Sequence, residues 1–138
     1  MQRRGVLIGL AMMPAMALAE DMTGPVDVQM TAPQIEALLS GNTIRGTWNG
    51  DPYTQFFDAN GLTVYFPEGG RPDQGKWRVN GETDQYESWW ERSNWTGYTI
   101  VMTNGGFAWV SRGELQPFEE FEGKQVTWCS LSAGRRTH

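Results

Sequence analysis

Apolar and polar residues alternate with a period of two along most of the chain, beginning near Asn42. In representative segments one parity is apolar or aromatic, as in Ile44, Gly46 and Trp48, or in Tyr98, Ile100 and Met102. Alternating β-branched and aromatic residues suit a pleated, half-buried surface, so these segments are predicted to be β-strands. We count seven or eight such strands between Asn42 and Trp128.

Asn-Gly pairs separate several of these segments, at positions 49–50, 60–61, 80–81 and 104–105. Both residues tolerate the positive φ that a type I′ hairpin turn requires, so each pair predicts a tight hairpin. Consecutive hairpins make an up-and-down antiparallel meander, and a long meander removes its exposed edges by closing. The predicted fold class is therefore mainly β, a single up-and-down antiparallel β-barrel of seven to eight strands. An open two-layer sandwich is the alternative.

One short helix is predicted before the strands. Thr31 and Gln34 have the spacing of a capping box, and Pro33 stands where a first helical turn tolerates proline. The apolar residues that follow recur at i, i+3 and i+4: Ile35, Leu38 and Leu39. Gly41 is a natural stop for this helix.

The N-terminus has the order of parts of a secretory signal peptide. Arg3 and Arg4 precede an apolar stretch over residues 5–16, and Ala17-Leu18-Ala19 offers a small-x-small cleavage site. The apolar stretch is shorter than the ~20 residues that a membrane-spanning helix needs. We therefore expect a bacterial protein that is periplasmic or secreted, without membrane insertion after signal cleavage.

The predicted organisation has four parts. Residues 1–19 are the signal peptide, 20–30 a flexible leader, 31–131 the helix and barrel domain, and 132–138 a frayed tail. The formal net charge of −5 becomes −7 once the two signal-peptide arginines are removed. This acidic balance argues against nucleic acid as a partner, because the phosphate backbone would repel it.

The residues that most often support catalysis are scarce. His138 and Cys129 are the single histidine and cysteine of the chain, which removes histidine-based triads, cysteine–histidine dyads and His-ligated metal sites. We assign no catalytic residues, no metal and no cofactor. Carboxylates such as Asp84, Glu87 and Glu91 leave one enzymatic alternative, a pair of acids acting on a glycan.

Short motifs give the chain a resemblance to known barrels. Gly46-Thr47-Trp48 is similar to the G-x-W opening of lipocalin-like and avidin-like barrels, which implies a calycin-like fold with Trp48 closing the barrel base. Together with Gly41-Asn42-Thr43, residues 57–61 and Gly75-Lys76-Trp77-Arg78-Val79, it also resembles a family of small secreted proteobacterial proteins of unknown function. Members of that family often carry a cysteine pair after G-x-W, and this chain has none there.

The chain contains seven tryptophans, and four of them are predicted to be core: Trp48, Trp77, Trp109 and Trp128. The segment YESWWERSNW at 86–95 is different, because two tryptophans are adjacent. In a strand, Tyr86, Ser88 and Trp90 face one side while Trp89 faces the other. In a helical turn, Tyr86, Trp89 and Trp90 would share a face. The strand is favoured by the surrounding hairpin signals.

The leading functional hypothesis is a secreted, non-enzymatic cell-envelope barrel that binds a small molecule or a protein partner. Tyr86, Trp89, Trp90 and Trp95 are its candidate ligand-binding residues, because exposed aromatic rings dock sugars, amines and aromatic compounds. If a loop or the helix covers Trp89, that residue is core instead. The alternatives are the carboxylate-based glycan hydrolase and an envelope inhibitor or structural protein.

Overall fold

The computed structural model describes residues 27–126. The predicted signal peptide, residues 20–26 of the leader, and the tail therefore lie outside the described residues. Trp128, Cys129 and His138 lie outside them as well, so the prediction that Trp128 is core stays a prediction.

One helix, α1 (Ala32–Leu39), and nine strands make up the fold. The strands are β1 (Val28–Gln29), β2 (Thr43–Trp48), β3 (Asp51–Phe57), β4 (Leu62–Pro67), β5 (Asp73–Asn80), β6 (Gln85–Trp90), β7 (Ser93–Thr103), β8 (Gly106–Ser111) and β9 (Glu114–Phe121).

Strands β2 to β9 form a closed barrel. Each strand pairs antiparallel with the next one along the chain, and β9 pairs back with β2, where Gly46 lies opposite Phe118. This closure confirms the predicted up-and-down barrel with one short helix and rules out the open sandwich. As a result, each of these eight strands has a hydrogen-bonded neighbour strand on both sides.

Strand β1 extends the barrel at one edge. Val28 and Gln29 pair with Met102 and Val101 of β7, beyond Tyr98, which pairs with Tyr86 near the beginning of β6. Met30, which follows, is only 4% exposed and belongs to the core. The last residues of the predicted flexible leader are thus part of the domain.

The helix covers one end of the barrel. The Thr31 side chain accepts a hydrogen bond from the Gln34 amide while the Gln34 side chain accepts one from the Thr31 amide, which is the predicted capping box. Ile35 and Leu39 are fully buried, and α1 packs against β5 and β6. Within residues 27–126 no helix is long and apolar enough to cross a membrane.

The Asn-Gly pairs all lie where one strand turns into the next, although Asn80 is still the last residue of β5, and they do not share one turn type. At 80–81 and 104–105 neither residue has the predicted positive φ. Asn49 and Gly50 both have positive φ, at 52° and 90°, as a type I′ turn requires. At 60–61 only the glycine does, and a four-residue turn beginning at Asp58 is held by side-chain hydrogen bonds to the backbone. A second pair with positive φ at both positions, Arg112-Gly113, was not predicted.

The half of the barrel next to α1 is filled by side chains. Its fully buried residues include Ile44, Phe57 and Ile100, and the Phe57 ring meets the Trp77 ring edge-on with centroids 5.6 Å apart. An eight-stranded barrel has an interior just wide enough for side chains to fill or for one small ligand. At the helix end of this barrel, side chains fill the interior.

Candidate functional site

The opposite half of the barrel encloses an open cavity of about 280 Å³. Because the strands alternate in direction, the ends of β2, β4 and β6 and the beginnings of β3, β5 and β7 meet at the barrel end away from α1. The cavity is lined by Trp48, Tyr53, Gln55, Tyr65, Asp73, Tyr86, Ser88, Trp90, Tyr98 and Trp109. Seven of these ten residues are aromatic.

Buried residues near the middle of the barrel form the floor of the cavity. Tyr86 and Trp109 are 3% and 4% exposed, and their ring centroids are 4.8 Å apart. Gln55 and Ser88 are also buried and add polar groups to the floor. The floor is thus aromatic with a few fixed hydrogen-bonding atoms, a combination typical of small-molecule sites.

Half-buried aromatic rings form the walls nearer the mouth. The Trp48 and Tyr98 rings meet edge-to-face at 5.5 Å, although β2 and β7 are not neighbouring strands. On the other side Tyr65 stacks on Tyr53 at 5.0 Å and meets the Trp90 ring edge-on at 6.2 Å. These contacts hold the rings in defined orientations around the space between them.

Hydrogen bonds fix the polar atoms of the floor. The Trp109 indole N–H donates to the Tyr53 hydroxyl at 2.9 Å, and the Trp90 indole N–H donates to Ser88 Oγ at 3.1 Å. Gln55 Nε2 donates to Thr63 Oγ1 at 2.9 Å and lies 3.5 Å from the Tyr86 hydroxyl.

Burial also controls the ionisation of these phenols. It raises the pKa of Tyr53 and of Tyr86 well above the ordinary value, because the charged phenolate is poorly solvated inside the barrel. Both phenols therefore stay protonated at a higher pH than an exposed tyrosine does.

Acidic residues flank the mouth. Asp73 is the one charged residue among those that line the cavity, and it pairs with Tyr65 across β4 and β5. Asp51 lies opposite Trp48 across β2 and β3. Burial, with a smaller contribution from the Asp51 carboxylate, raises the pKa of Tyr65. The Asp51 carboxylate at the rim is therefore close enough to act electrostatically on the Tyr65 phenol in the aromatic wall.

The structure separates the four candidate ligand-binding residues into two pairs. Tyr86 and Trp90 face inward with Ser88 and line the cavity, as the strand alternation predicts. Trp89 and Trp95 do not line it: Trp89 is half-buried with its ring 5.2 Å from Lys76 Nζ, and Trp95 is 38% exposed with its ring 3.8 Å from Arg78 Cζ. Lys76, the cross-strand partner of Trp89 on β5, contributes to the cover of this ring.

Glu87 belongs to this outer surface as well. Its carboxylate accepts hydrogen bonds from Arg78 Nε at 2.6 Å and from Asn80 Nδ2 at 3.0 Å. The Asn80 amide first, and then the Arg78 guanidinium, hold the pKa of Glu87 below its ordinary value. The Arg78 guanidinium thus contacts both the Glu87 carboxylate and the Trp95 ring.

The three carboxylates considered for a hydrolase do not come together in the cavity. Glu87 is bound to Arg78 outside the barrel, Asp84 accepts a hydrogen bond from the Ala32 amide beside the helix, and Glu91 lies in the β6–β7 turn. None of the three lines the cavity. Among residues 27–126 there is also no cluster of three or more His, Cys, Asp or Glu side chains suited to a metal ion.

Sequence reasoning missed most of the cavity. Tyr53, Tyr65, Tyr98 and Asp73 were not among the candidate residues, and Trp48 and Trp109 were predicted simply as core. One signal was present: in a meander, aromatic residues at the ends of even-numbered strands and the beginnings of odd-numbered strands share one barrel end. Applying that rule to the predicted strands would have gathered these rings.

The resemblance to G-x-W barrels implies that Trp48 closes the barrel base, and the structure differs on this point. Trp48 is the last residue of β2, so it lies at the end away from α1, half-buried in the cavity wall.

Comparisons with protein-family models, with curated proteins and with solved structures found no match for this chain.

Proposed function

We propose that this protein is a binding barrel that holds a small organic ligand in the aromatic cavity at the end away from α1. The observation that carries the proposal is the contrast between the two halves of one barrel. The half beside the helix is filled by side chains, while the other half keeps about 280 Å³ open among seven aromatic residues.

The size of the cavity limits the ligand. Pockets for drug-sized molecules typically span about 300–1,000 Å³, so this cavity suits a ligand at or below the lower end of that class. The hydrogen bonds of Tyr53 with Trp109 and of Ser88 with Trp90 hold the rings before a ligand arrives. Such preorganisation reduces the entropy cost of binding.

Binding rather than turnover is the favoured activity. The cavity lining contains one carboxylate, Asp73, and neither a histidine nor a cysteine. An acid–base pair on a glycan needs two carboxyl groups that flank the scissile bond. The expected signal peptide is consistent with a role in the cell envelope.

The test compares two adjacent tryptophans on opposite faces of β6. A library of small cationic, neutral and anionic fragments is screened by NMR against the isotopically labelled protein, with the indole signals assigned through Trp→Phe variants. We expect hits that shift the signals of Trp48, Trp90 and Trp109 and leave those of Trp89 and Trp95 in place.

The hits are then titrated against W90A and the matched control W89A. We expect W90A to weaken binding by about tenfold or more, because loss of a buried aromatic contact costs roughly 1–3 kcal/mol, and W89A to bind like the unmodified protein. Circular dichroism checks that both variants fold, and W90F replaces W90A if it does not. Absence of any hit at the cavity signals, or equal loss in both variants, would overturn the proposal.

A further inference from the structure

We propose that the ligand of this cavity is a small organic cation, held by its positive charge against the aromatic walls with the charged group toward the Asp73 side of the mouth. This inference rests on the proposed function, since it assigns a ligand class to the same site.

The first argument is the chemistry of the lining. The faces of Trp and Tyr rings carry partial negative charge, and several rings around one space attract a cation that can shed its water. Here Trp48, Trp90 and Trp109 surround the cavity together with four tyrosines. A compact ammonium group with alkyl substituents meets such walls at low desolvation cost, whereas an anion meets unfavourable ring faces.

The second argument is the placement of charge. Asp73 is the one charged side chain of the lining, and Asp51 is cross-strand from Trp48 at the same end. The loops around the mouth carry charges of both signs: three arginines (Arg71, Arg92 and Arg112) and two glutamates (Glu68 and Glu91). They therefore impose no strong selection on the charge of a ligand. The selection within the lining is therefore toward positive charge.

The third argument is where the protein's own cations lie. Four Lys or Arg side chains in the described part of the chain contact aromatic rings: Arg45 on Phe121, Lys76 on Trp89, Arg78 on Trp95 and Lys124 on Phe56. None of these residues lines the cavity. Within residues 27–126, the cation–π contacts of the protein's own Lys and Arg side chains therefore leave the cavity rings to a cation from outside.

The experiment uses two probes of the same shape and different charge, choline and its uncharged carbon analogue 3,3-dimethylbutan-1-ol. Both are titrated into the protein and followed by the indole NMR signals of Trp48, Trp90 and Trp109. Cation–π contacts predict that choline binds about 3- to 30-fold more tightly than the analogue. D73N should reduce that preference by about 2- to 5-fold, as expected for a charge pair that involves an exposed carboxylate. E68Q, in the neighbouring loop, is the matched control and should leave the preference unchanged.

Each outcome separates the inference from the function on which it rests. If the uncharged analogue binds as tightly as choline, or if only neutral or anionic fragments of the wider library bind, the cation inference is overturned and the binding barrel stands. If D73N and E68Q lower the preference equally, the assigned role of Asp73 is wrong. If no fragment of any charge shifts the cavity signals, the proposed function itself fails.

Discussion

Gly75 of β5 leaves the space that the Trp90 ring occupies. A Cβ atom added at Gly75 would stand 2.6 Å from Trp90 Cε3 and 2.4 Å from the Trp89 carbonyl oxygen. Because Gly75 has no side chain, the Trp90 ring lies across β5 and reaches Tyr65 on β4. One wall of the cavity thus depends on a residue that contributes no side chain to it.

We expect G75A to destabilise the fold and to displace Trp90. The new methyl group meets a backbone oxygen that cannot rotate away, and overpacking of this kind costs roughly 1–3 kcal/mol. Urea unfolding measures the change in the free energy of unfolding, and the indole signal of Trp90 reports the displacement.

G81A is the matched control for this substitution. A Cβ at Gly81 meets no atom within 4 Å, so we expect a change within about 0.5 kcal/mol, as for other surface sites. Equal stability of G75A and G81A would contradict the steric role of Gly75.

The hydrogen bond between Tyr53 and Trp109 supports a second prediction. Y53F leaves the buried Trp109 indole N–H without its acceptor, and an unsatisfied buried donor costs roughly 1–3 kcal/mol. The measurement is chemical unfolding. Y98F is the control, because the half-buried Tyr98 hydroxyl makes no hydrogen bond to residues 27–126, and its loss should be close to neutral. A Y53F variant as stable as Y98F would show that the Tyr53 hydroxyl contributes little.

Alkaline pH should lower the stability of the protein through its buried tyrosines. The pKa of Tyr53 and of Tyr86 is raised in the folded state, so the unfolded chain loses these protons near pH 10 while the folded chain keeps them. The free energy of unfolding then falls as pH rises above about 10, by about 1.4 kcal/mol per pH unit for each tyrosine. Unfolding curves at pH 8 to 11 measure the slope, and Y86F should make it shallower. A stability unchanged over this range would contradict the assignment.

Acid pH should act through Glu87. Its pKa is lowered in the folded state, so its contribution is present above the pKa of the unfolded chain and disappears as pH falls through the folded pKa. We expect E87Q to be less stable than the unmodified protein at pH 7, by no more than about 1 kcal/mol, since Arg78 is half exposed.

At pH 3 the difference between the two proteins should shrink, because protonation of Glu87 weakens the same interactions. Denaturant unfolding at the two pH values checks this. E91Q, in the exposed β6–β7 turn, is the control, and a loss in E91Q equal to that in E87Q would assign the effect to net charge alone.

Local sequence patterns determined the barrel and its helix. The capping box of Thr31 and Gln34 and the stripe of Ile35 and Leu39 depend on neighbouring residues, so they could be predicted without the fold. The same holds for the alternation that puts Trp90 inside and Trp89 outside, because successive residues of a regular strand face opposite sides. The hairpin signals in turn set the strand order, since a meander pairs each strand with its neighbour.

Only the tertiary structure decided which inward rings fill the barrel and which leave space. Trp77 and Trp90 both face inward from adjacent strands, but Trp77 lies in the filled half and Trp90 in the cavity wall. Their roles depend on position along the barrel axis and on residues of other strands. Gly75, for example, leaves room for the Trp90 ring because it has no side chain. The sequence alone determined the frame of this protein by local spacing, whereas the cavity arises from packing between residues far apart in the chain.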